Sequence, residues 1–390
     1  MTIPPASRSA RRLTLRDVHL EAGRLPEATM AYETFGTLAP DRSNAVLIAH
    51  ALTGDSHVTS SAADERTGWW EELVGPGRPI DTDEMFVICS NAVGGCTGST
   101  GPASPALDGK PYGSRFPAVS LRDLARLDLA LLDNLGIARV HAAVGGSMGG
   151  ARVLELALEA PERVGRLGVV AAPAFSAADQ IAWAHAQLGA IANDPAYHGG
   201  DYLAHGREPH RGLALARQIA HLTYRSPTEL DQRFGRGTVD TARGCRPPDA
   251  RQSTAPYFQA ESYLDHHGRK LVDRFDAQSY VVLTDALSQH DVRRGRAPDL
   301  RGAVARYTGP ALVVSIDSDR LYPPAQVREL AEALPGPVRC VELPSVGGHD
   351  GFLTEHRAIG AELASFLRPG WETRWATPLL RTRRQTIGTA

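Results

Sequence analysis

The sequence predicts an α/β protein in which a mostly parallel β-sheet carries helices on both faces and is interrupted by a helical insertion. Three observations predict it. Short apolar runs of strand length alternate with apolar residues at helical spacing through the first half of the chain. The alternation stops between about Phe175 and Gly295, where the sequence is polar-rich and reads as mostly helical. It resumes at Ala311 and runs to Phe366.

The elements follow in order. Ala45–Ala49 and Met85–Cys89 are unbroken apolar runs and read as buried strands. Leu121, Leu124, Leu127, Leu131 and Leu135 share one helical face between Ser120, a capping serine with Asp123 three residues on, and Gly136, a stop. Val140–Val144 is a strand that ends in a glycine-rich turn. A helix follows from Met148 to Ala160 and is stopped by Pro161. Leu167–Ala172 and Ala311–Ser315 are further strands on either side of the helical stretch. A helix over Pro324–Leu334, a strand near Arg339–Glu342 and a helix over Phe352–Phe366 complete the pattern.

The expected organisation is therefore a discontinuous catalytic domain over 11–174 and 296–368. An insertion of ~120 residues, 175–295, forms a helical lid, because a structureless loop of that length is rare. Residues 1–10 and 369–390 are expected to be flexible ends; the second holds a basic cluster at Arg381, Arg383 and Arg384.

Composition narrows the function classes. The chain has 390 residues, 42% hydrophobic and 22% charged, with a net charge of -2. That is the balance of a globular enzyme and gives no sign of a nucleic-acid partner or an anionic membrane surface. No apolar run reaches the ~20 residues of a membrane span, and no secretory signal precedes Leu13. Cys89, Cys96, Cys245 and Cys340 fit neither a zinc template nor a disulfide scaffold. Reduced thiols in a cytoplasmic protein are the expectation.

The chemistry centres on Gly145-Gly146-Ser147-Met148-Gly149, a G-x-S-x-G string between a predicted strand and a predicted helix. Such a turn lifts a serine hydroxyl to the carboxyl edge of the sheet, the nucleophile elbow of the α/β-hydrolase fold. A serine needs a base, and this fold supplies an acid and then a histidine later in the chain. Asp317 and Asp319 follow the strand that ends at Ser315. Asp319 is preferred by its offset from Pro323, and Asp317 suits a turn-capping role. His349, among glycines after the last strand, is the candidate base. His356 and the pair His266 and His267 read as solvated surface residues. Oxyanion donors are expected at the N–H of Met148 and at Leu52, in the loop after the strand that ends near His50. The glycine-rich stretch Gly94–Gly101 lacks the Lys-Ser/Thr ending of a phosphate loop and is rejected as a nucleotide site.

Beyond these elements the chain resembles the homoserine O-acyltransferase family through about Phe366. The resemblance rests on His50–Val58, Gly68-Trp69-Trp70, Gly75-Pro76-Gly77, Ile80-Asp81-Thr82 and Gly94–Pro102. It continues with Gly145–Gly150, Gly212-Leu213 followed by Ala216-Arg217, His221–Tyr224, Glu261–Leu264 and Arg274-Phe275-Asp276. It implies that Ser147, with His349 as base and Asp319 behind it, takes acetyl from acetyl-CoA and passes it to the side-chain hydroxyl of L-homoserine for methionine synthesis. Leu52 and Met148 would hold the oxyanion. It further implies Arg217 for the substrate carboxylate, Asp350 for its ammonium group and Tyr224 in the same pocket. No metal or bound cofactor is implied, and a homodimer formed through the insertion is. Succinyl-using relatives tend to carry arginine two residues after the triad acid; here Leu321 stands there, which favours acetyl. Arg320, where the family usually has tryptophan, and Ser176–Gln180 depart from the family pattern. Serine as acceptor, succinyl-CoA as donor, and a plain esterase remain open alternatives.

Overall fold

The computed structural model describes residues 7–239 and 255–371. Strands β1 (Arg11–Leu20) and β2 (Gly23–Phe35) form an antiparallel hairpin, and β3 (Ala45–Ala49) follows. Two-residue strands β4 (Val74–Gly75) and β5 (Ile80–Asp81) pair only with each other. The main sheet continues with β6 (Phe86–Ser90), β7 (Ala142–Gly146), β8 (Leu167–Val170), β9 (Ala311–Ile316) and β10 (Val338–Leu343).

Among the described residues the strand order is β1-β2-β6-β3-β7-β8-β9-β10, parallel from β6 onward. The inner strands β3, β6, β7, β8 and β9 are buried along their whole length, which is why they read as unbroken apolar runs. The two sheet faces carry separate clusters of buried side chains. Helices α1 (Leu121–Asn134) and α2 (Met148–Glu159) pack on one face. Helix α11 (His356–Leu367) packs on the other.

Ser120 and Asp123 form the reciprocal cap that starts α1, as their spacing predicts. Arg152 of α2 is fully buried and paired with Asp128 of α1; it also donates to Ser90 at the end of β6. This ties both helices to the sheet close to where the chemistry-bearing loops emerge.

Between β8 and β9 lie α3 (Ala178–Ala192), α4 (His210–Tyr224), α5 (Pro227–Phe234), α6 (Gln259–Val272), α7 (Ala277–Ser288) and the short α8 (Leu300–Val304). The two ends of this excursion meet. Phe175 bridges Asp291, Ser176 N–H donates to His290 O, and Val292 N–H donates to Ala174 O. Helix α9 (Pro324–Ala333) then leads to β10.

Several expectations shift. The helix over Phe352–Phe366 is two pieces, α10 (Gly351–Thr354) and α11, broken at Glu355. The carboxylate of Glu355 accepts from Ser345 Oγ at 2.6 Å, which holds the break against the loop after β10. At the amino end, Ser7 is buried and donates to Glu33 and Asp64, so this residue of the segment expected to be flexible is packed. At the other end Trp371 is buried and packs edge-on against Phe366, ring centroids 4.8 Å apart, so the packed chain runs past 368. Arg381, Arg383, Arg384 and Cys245 lie outside the described residues. No helix among the described residues is long and apolar enough to cross a membrane.

Candidate active site

Ser147 sits between β7 and α2 with φ 56° and ψ −125°, a conformation that costs an ordinary residue ~1–3 kcal/mol. The surroundings over-determine it. Ser147 N–H donates to Val170 O of β8, and Ala151 N–H to Ser147 O. The close packing leaves no choice at Gly149: a Cβ there would stand 1.9 Å from the Ala49 carbonyl oxygen. The strained turn places Ser147 Oγ 2.8 Å from His349 Nε2.

His349 follows β10. Its Nδ1 lies 2.7 Å from Asp319 Oδ2. The other Asp319 oxygen accepts from the N–H groups of Leu321 and Tyr322, at 2.8 and 2.9 Å. The acid is thus fixed by backbone before it meets the imidazole. Asp319 and His349 are only 4% and 2% exposed, which strengthens every charge interaction between them. The rings of Tyr224, Tyr322 and Phe352 surround the imidazole at 5.2–5.7 Å. Asp317 accepts from Ser345 N–H and serves the turn, as its position suggested.

Met148 is the first residue of α2, where N–H groups have no helical partner and the helix dipole favours negative charge. Opposite it runs the loop that leaves β3. Gly54 N–H donates to Ala51 O, so Ala51–Gly54 closes as a tight turn with Leu52 at its outer corner. His50 lies beneath. Its Nδ1 donates to Ala51 O at 2.8 Å, because its Nε2 must accept from Ala92 N–H at 2.9 Å. Burial, then the charge of Arg152, pushes His50 down to about 3, so it stays neutral with that tautomer.

The insertion supplies the opposite wall. Gly348, at φ +70°, packs against the backbone at the end of α4: a Cβ there would meet Tyr224 O and Ser226 N at 2.6 Å. Tyr224 closes on the His349 ring, and the Arg217 guanidinium lies 5.3 Å over the Tyr224 ring. Asp350 is half-buried next to His349. Its carboxyl is raised by burial, against the pull of Arg225 and Arg217.

Two residues without an assigned role join them. Arg225 Nε lies 3.2 Å from Asp350 Oδ2 and donates to Tyr263 Oη. Arg274 reaches from the turn between α6 and α7 to Thr53. Arg225 abuts the recognisable block His221–Tyr224 and Arg274 opens the block Arg274-Phe275-Asp276, but only the tertiary arrangement gives each a partner. His267, expected in solvent, is half-buried with its ring 4.1 Å from that of His221; burial first, then Arg217, lowers it to about 4.

A narrow cavity of ≈ 40 Å³ opens beside Leu52 and Tyr224. Trp183, Ala184, Leu287, Leu321 and Tyr322 also line it, and none of its lining side chains is charged. Arg320 is exposed and lies 6.0 Å from the Trp183 ring, outside that lining. Gln180 Nε2 donates to Leu321 O and holds this wall in place. The rejected glycine-rich stretch packs behind the His50 loop and on β2, where Thr100 N–H donates to Thr29 O.

Comparison with known proteins fits this arrangement. The family model described as alpha/beta hydrolase fold matches residues 44–356. A homoserine O-acetyltransferase of Thermobifida fusca is 50% identical over 349 residues, covering 88% of this chain and 89% of the relative. One of Nocardia farcinica is 47% identical over 369 residues, covering 94% of each. Among solved structures, a homoserine O-acetyltransferase from Bacillus anthracis superposes with TM-score 0.83 at 26% identity, over 92% of this chain and 97% of the other. Esterase E22 superposes with TM-score 0.81 at 25% identity, over 92% and 100%. By sequence and fold alike, the chain belongs to the homoserine O-acetyltransferase family of the α/β-hydrolase fold.

Proposed function

We propose that this protein transfers acetyl from acetyl-CoA to the side-chain hydroxyl of L-homoserine through an acetyl-serine, giving O-acetyl-L-homoserine for methionine synthesis. The observation that carries the proposal is the hydrogen-bonded chain Ser147–His349–Asp319 beneath an insertion that brings Arg217 and Tyr224 to the same point.

In the first half-reaction Ser147 Oγ attacks the thioester carbonyl and gives its proton to His349 Nε2. Asp319 stabilises the imidazolium. The N–H groups of Met148 and Leu52 hold the oxyanion. Collapse expels the CoA thiolate, which takes the proton from His349. In the second half-reaction His349 removes the proton of the homoserine hydroxyl as that oxygen attacks the acetyl-serine. The second oxyanion uses the same donors, and collapse returns Ser147 with its proton. Arg217 binds the α-carboxylate, Asp350 the α-ammonium group, and Tyr224 closes the pocket.

The choice of acetyl over succinyl is supported by the small uncharged cavity and by Leu321 in its wall, since a succinyl carboxylate would find no cation there. Arg320, the cation that departs from the family pattern, is exposed and does not line this cavity, which also supports acetyl. Transfer over hydrolysis is supported by the insertion, whose Tyr224 closes on the His349 ring beside a Ser147 that is only 8% exposed, an arrangement that restricts the approach of water. No bound cofactor or metal takes part in this scheme.

We also place the protein in the cytoplasm as a homodimer. The buried thiols of Cys89 and Cys96 suit a reducing compartment. Ile181 on α3, with Leu215 and Leu222 on α4, puts exposed apolar side chains on the outside of the insertion. The likeness to esterase E22 favours a second reading, simple ester hydrolysis.

Thiol release from acetyl-CoA by the purified protein tests the proposal. Homoserine-dependent release is expected, with little on L-serine or succinyl-CoA, and a loss of ~10⁴-fold or more in Ser147→Ala. Ester hydrolysis with no preference for an amino-acid acceptor would select the esterase reading instead.

A further inference from the structure

The turn Ala51–Gly54 presents Leu52 N–H, and its geometry is not set by the turn alone. On one side His50 holds the Ala51 carbonyl. That carbonyl and Leu52 N–H belong to one planar peptide, so fixing one direction fixes the other. On the other side Arg274 Nη1 donates to Thr53 O at 2.6 Å and Nη2 to Thr53 Oγ1 at 3.3 Å.

Arg274 belongs to the insertion, between α6 and α7, whereas Thr53 belongs to the loop after β3. The sequence separation is 221 residues. Among the described residues no carboxylate lies within ion-pair distance of Arg274, although it is largely removed from solvent. Burial, and next the like charge of Arg217, weaken its hold on its proton. A guanidinium so placed costs stability unless its remaining interactions are good ones. The Cys96 and Asp276 contacts hold the same segment: Asp276 N–H donates to Cys96 Sγ, and Cys96 Sγ–H points to Arg274 O. The backbone that carries Arg274 is therefore fixed before its side chain reaches Thr53.

We propose that Arg274 is a positioning residue for the oxyanion hole: it clasps the Thr53 end of the Ala51–Gly54 turn to the helical insertion, so that Leu52 N–H is aimed at the acyl oxygen only while the insertion is docked. The proposal rests on the reading of Ser147 as the acylated nucleophile, not on the identity of the acceptor. Both half-reactions pass through an oxyanion at the same donors, so both depend on the clasp. Loss of one donor costs ~10²–10³-fold in rate, and a donor turned away from the oxyanion loses part of that contribution.

The test is pre-steady-state acylation by p-nitrophenyl acetate, an ester that needs neither CoA nor homoserine, together with the KM for homoserine in the full reaction. In Arg274→Gln the burst rate is expected to fall ~10-fold or more, with kcat for transfer falling in parallel and the homoserine KM within about twofold of wild type. Arg274→Lys, which can still donate to Thr53 O, is expected to recover part of the burst rate; a merely structural loss would not separate kcat from KM in this way. Thr53→Val removes only the weaker bond and gives a smaller loss with the fold undisturbed. An unchanged burst rate in Arg274→Gln overturns the proposal. So does a rise in homoserine KM at an unchanged burst, which would make Arg274 an acceptor-carboxylate ligand beside Arg217. A wild-type protein in which p-nitrophenyl acetate leaves no acetyl group on Ser147 would overturn the reading of Ser147, and the Arg274 proposal with it.

Discussion

Asp319 meets His349 through one oxygen and two backbone N–H groups through the other. An asparagine could keep the backbone bonds, but would then turn its NH₂ toward His349 Nδ1. The imidazole would be forced into the tautomer with hydrogen on Nε2, which cannot take the Ser147 proton. Asp319→Asn is therefore expected to lower kcat by ~10⁴-fold while thermal stability stays close to wild type, as activity and melting measurements on one sample would show. At this scale much was legible from sequence. Ser147, Asp319 and His349 announce themselves by local signals, each following a strand at a fixed offset. Arg225 and Arg274 do not. Their roles come from Asp350 and Thr53, more than a hundred residues away in the chain, and no local pattern encodes such a meeting.

At the scale of elements, the strand-to-loop joint behind the oxyanion turn holds a buried polar network. Glu33 on β2 is wholly buried and accepts from Ser56, Ser7 and Ser9, with His57 Nδ1 at 3.1 Å. Burial works to raise the Glu33 carboxyl, yet the bonds from His57, Ser9, Ser7 and Ser56 together hold it below its ordinary 4.5. His57 is raised above its ordinary 6.5, chiefly by Glu33. The histidine's contribution to stability is full below 6.5 and is lost as pH rises through its raised folded value. The carboxylate's is full above 4.5 and is lost as pH falls through its depressed folded value. Glu33→Gln should thus cost most between those two ordinary values, ~3 kcal/mol where both groups are charged. The gap in melting temperature from wild type should narrow on the alkaline side; a pH-independent gap would rule the ion pair out as the cause.

Elements differed in how plainly the sequence announced them. β3 matches its apolar run residue for residue, because a strand buried on both faces leaves no other composition possible. The hairpin β1–β2 gave no such signal: β1 is an exposed edge strand rich in arginine, and its neighbour is only partly covered. The break at Glu355 was equally hidden, since no glycine or proline marks it and a side-chain bond from Ser345 makes it.

For the whole molecule, the net charge of -2 leaves association to apolar surface rather than to long-range fields. Leu215 and Leu222 are 48% and 37% exposed on one face of α4. Sedimentation of the wild type should report a dimer, and Leu215→Glu with Leu222→Glu should shift it toward monomer without loss of the Ser147 burst. A monomeric wild type would remove the insertion as the pairing surface.

The joined base of the insertion has an evolutionary consequence. A segment whose ends are hydrogen-bonded neighbours can be lengthened, shortened or exchanged without moving the strands that flank it. Arg217 and Tyr224 lie inside that segment, whereas Ser147, Asp319 and His349 lie outside it. Descendants that keep Arg274 in place could revise the Arg217 and Tyr224 part of the acceptor wall within the insertion, and inherit the nucleophile, base and acid with the sheet.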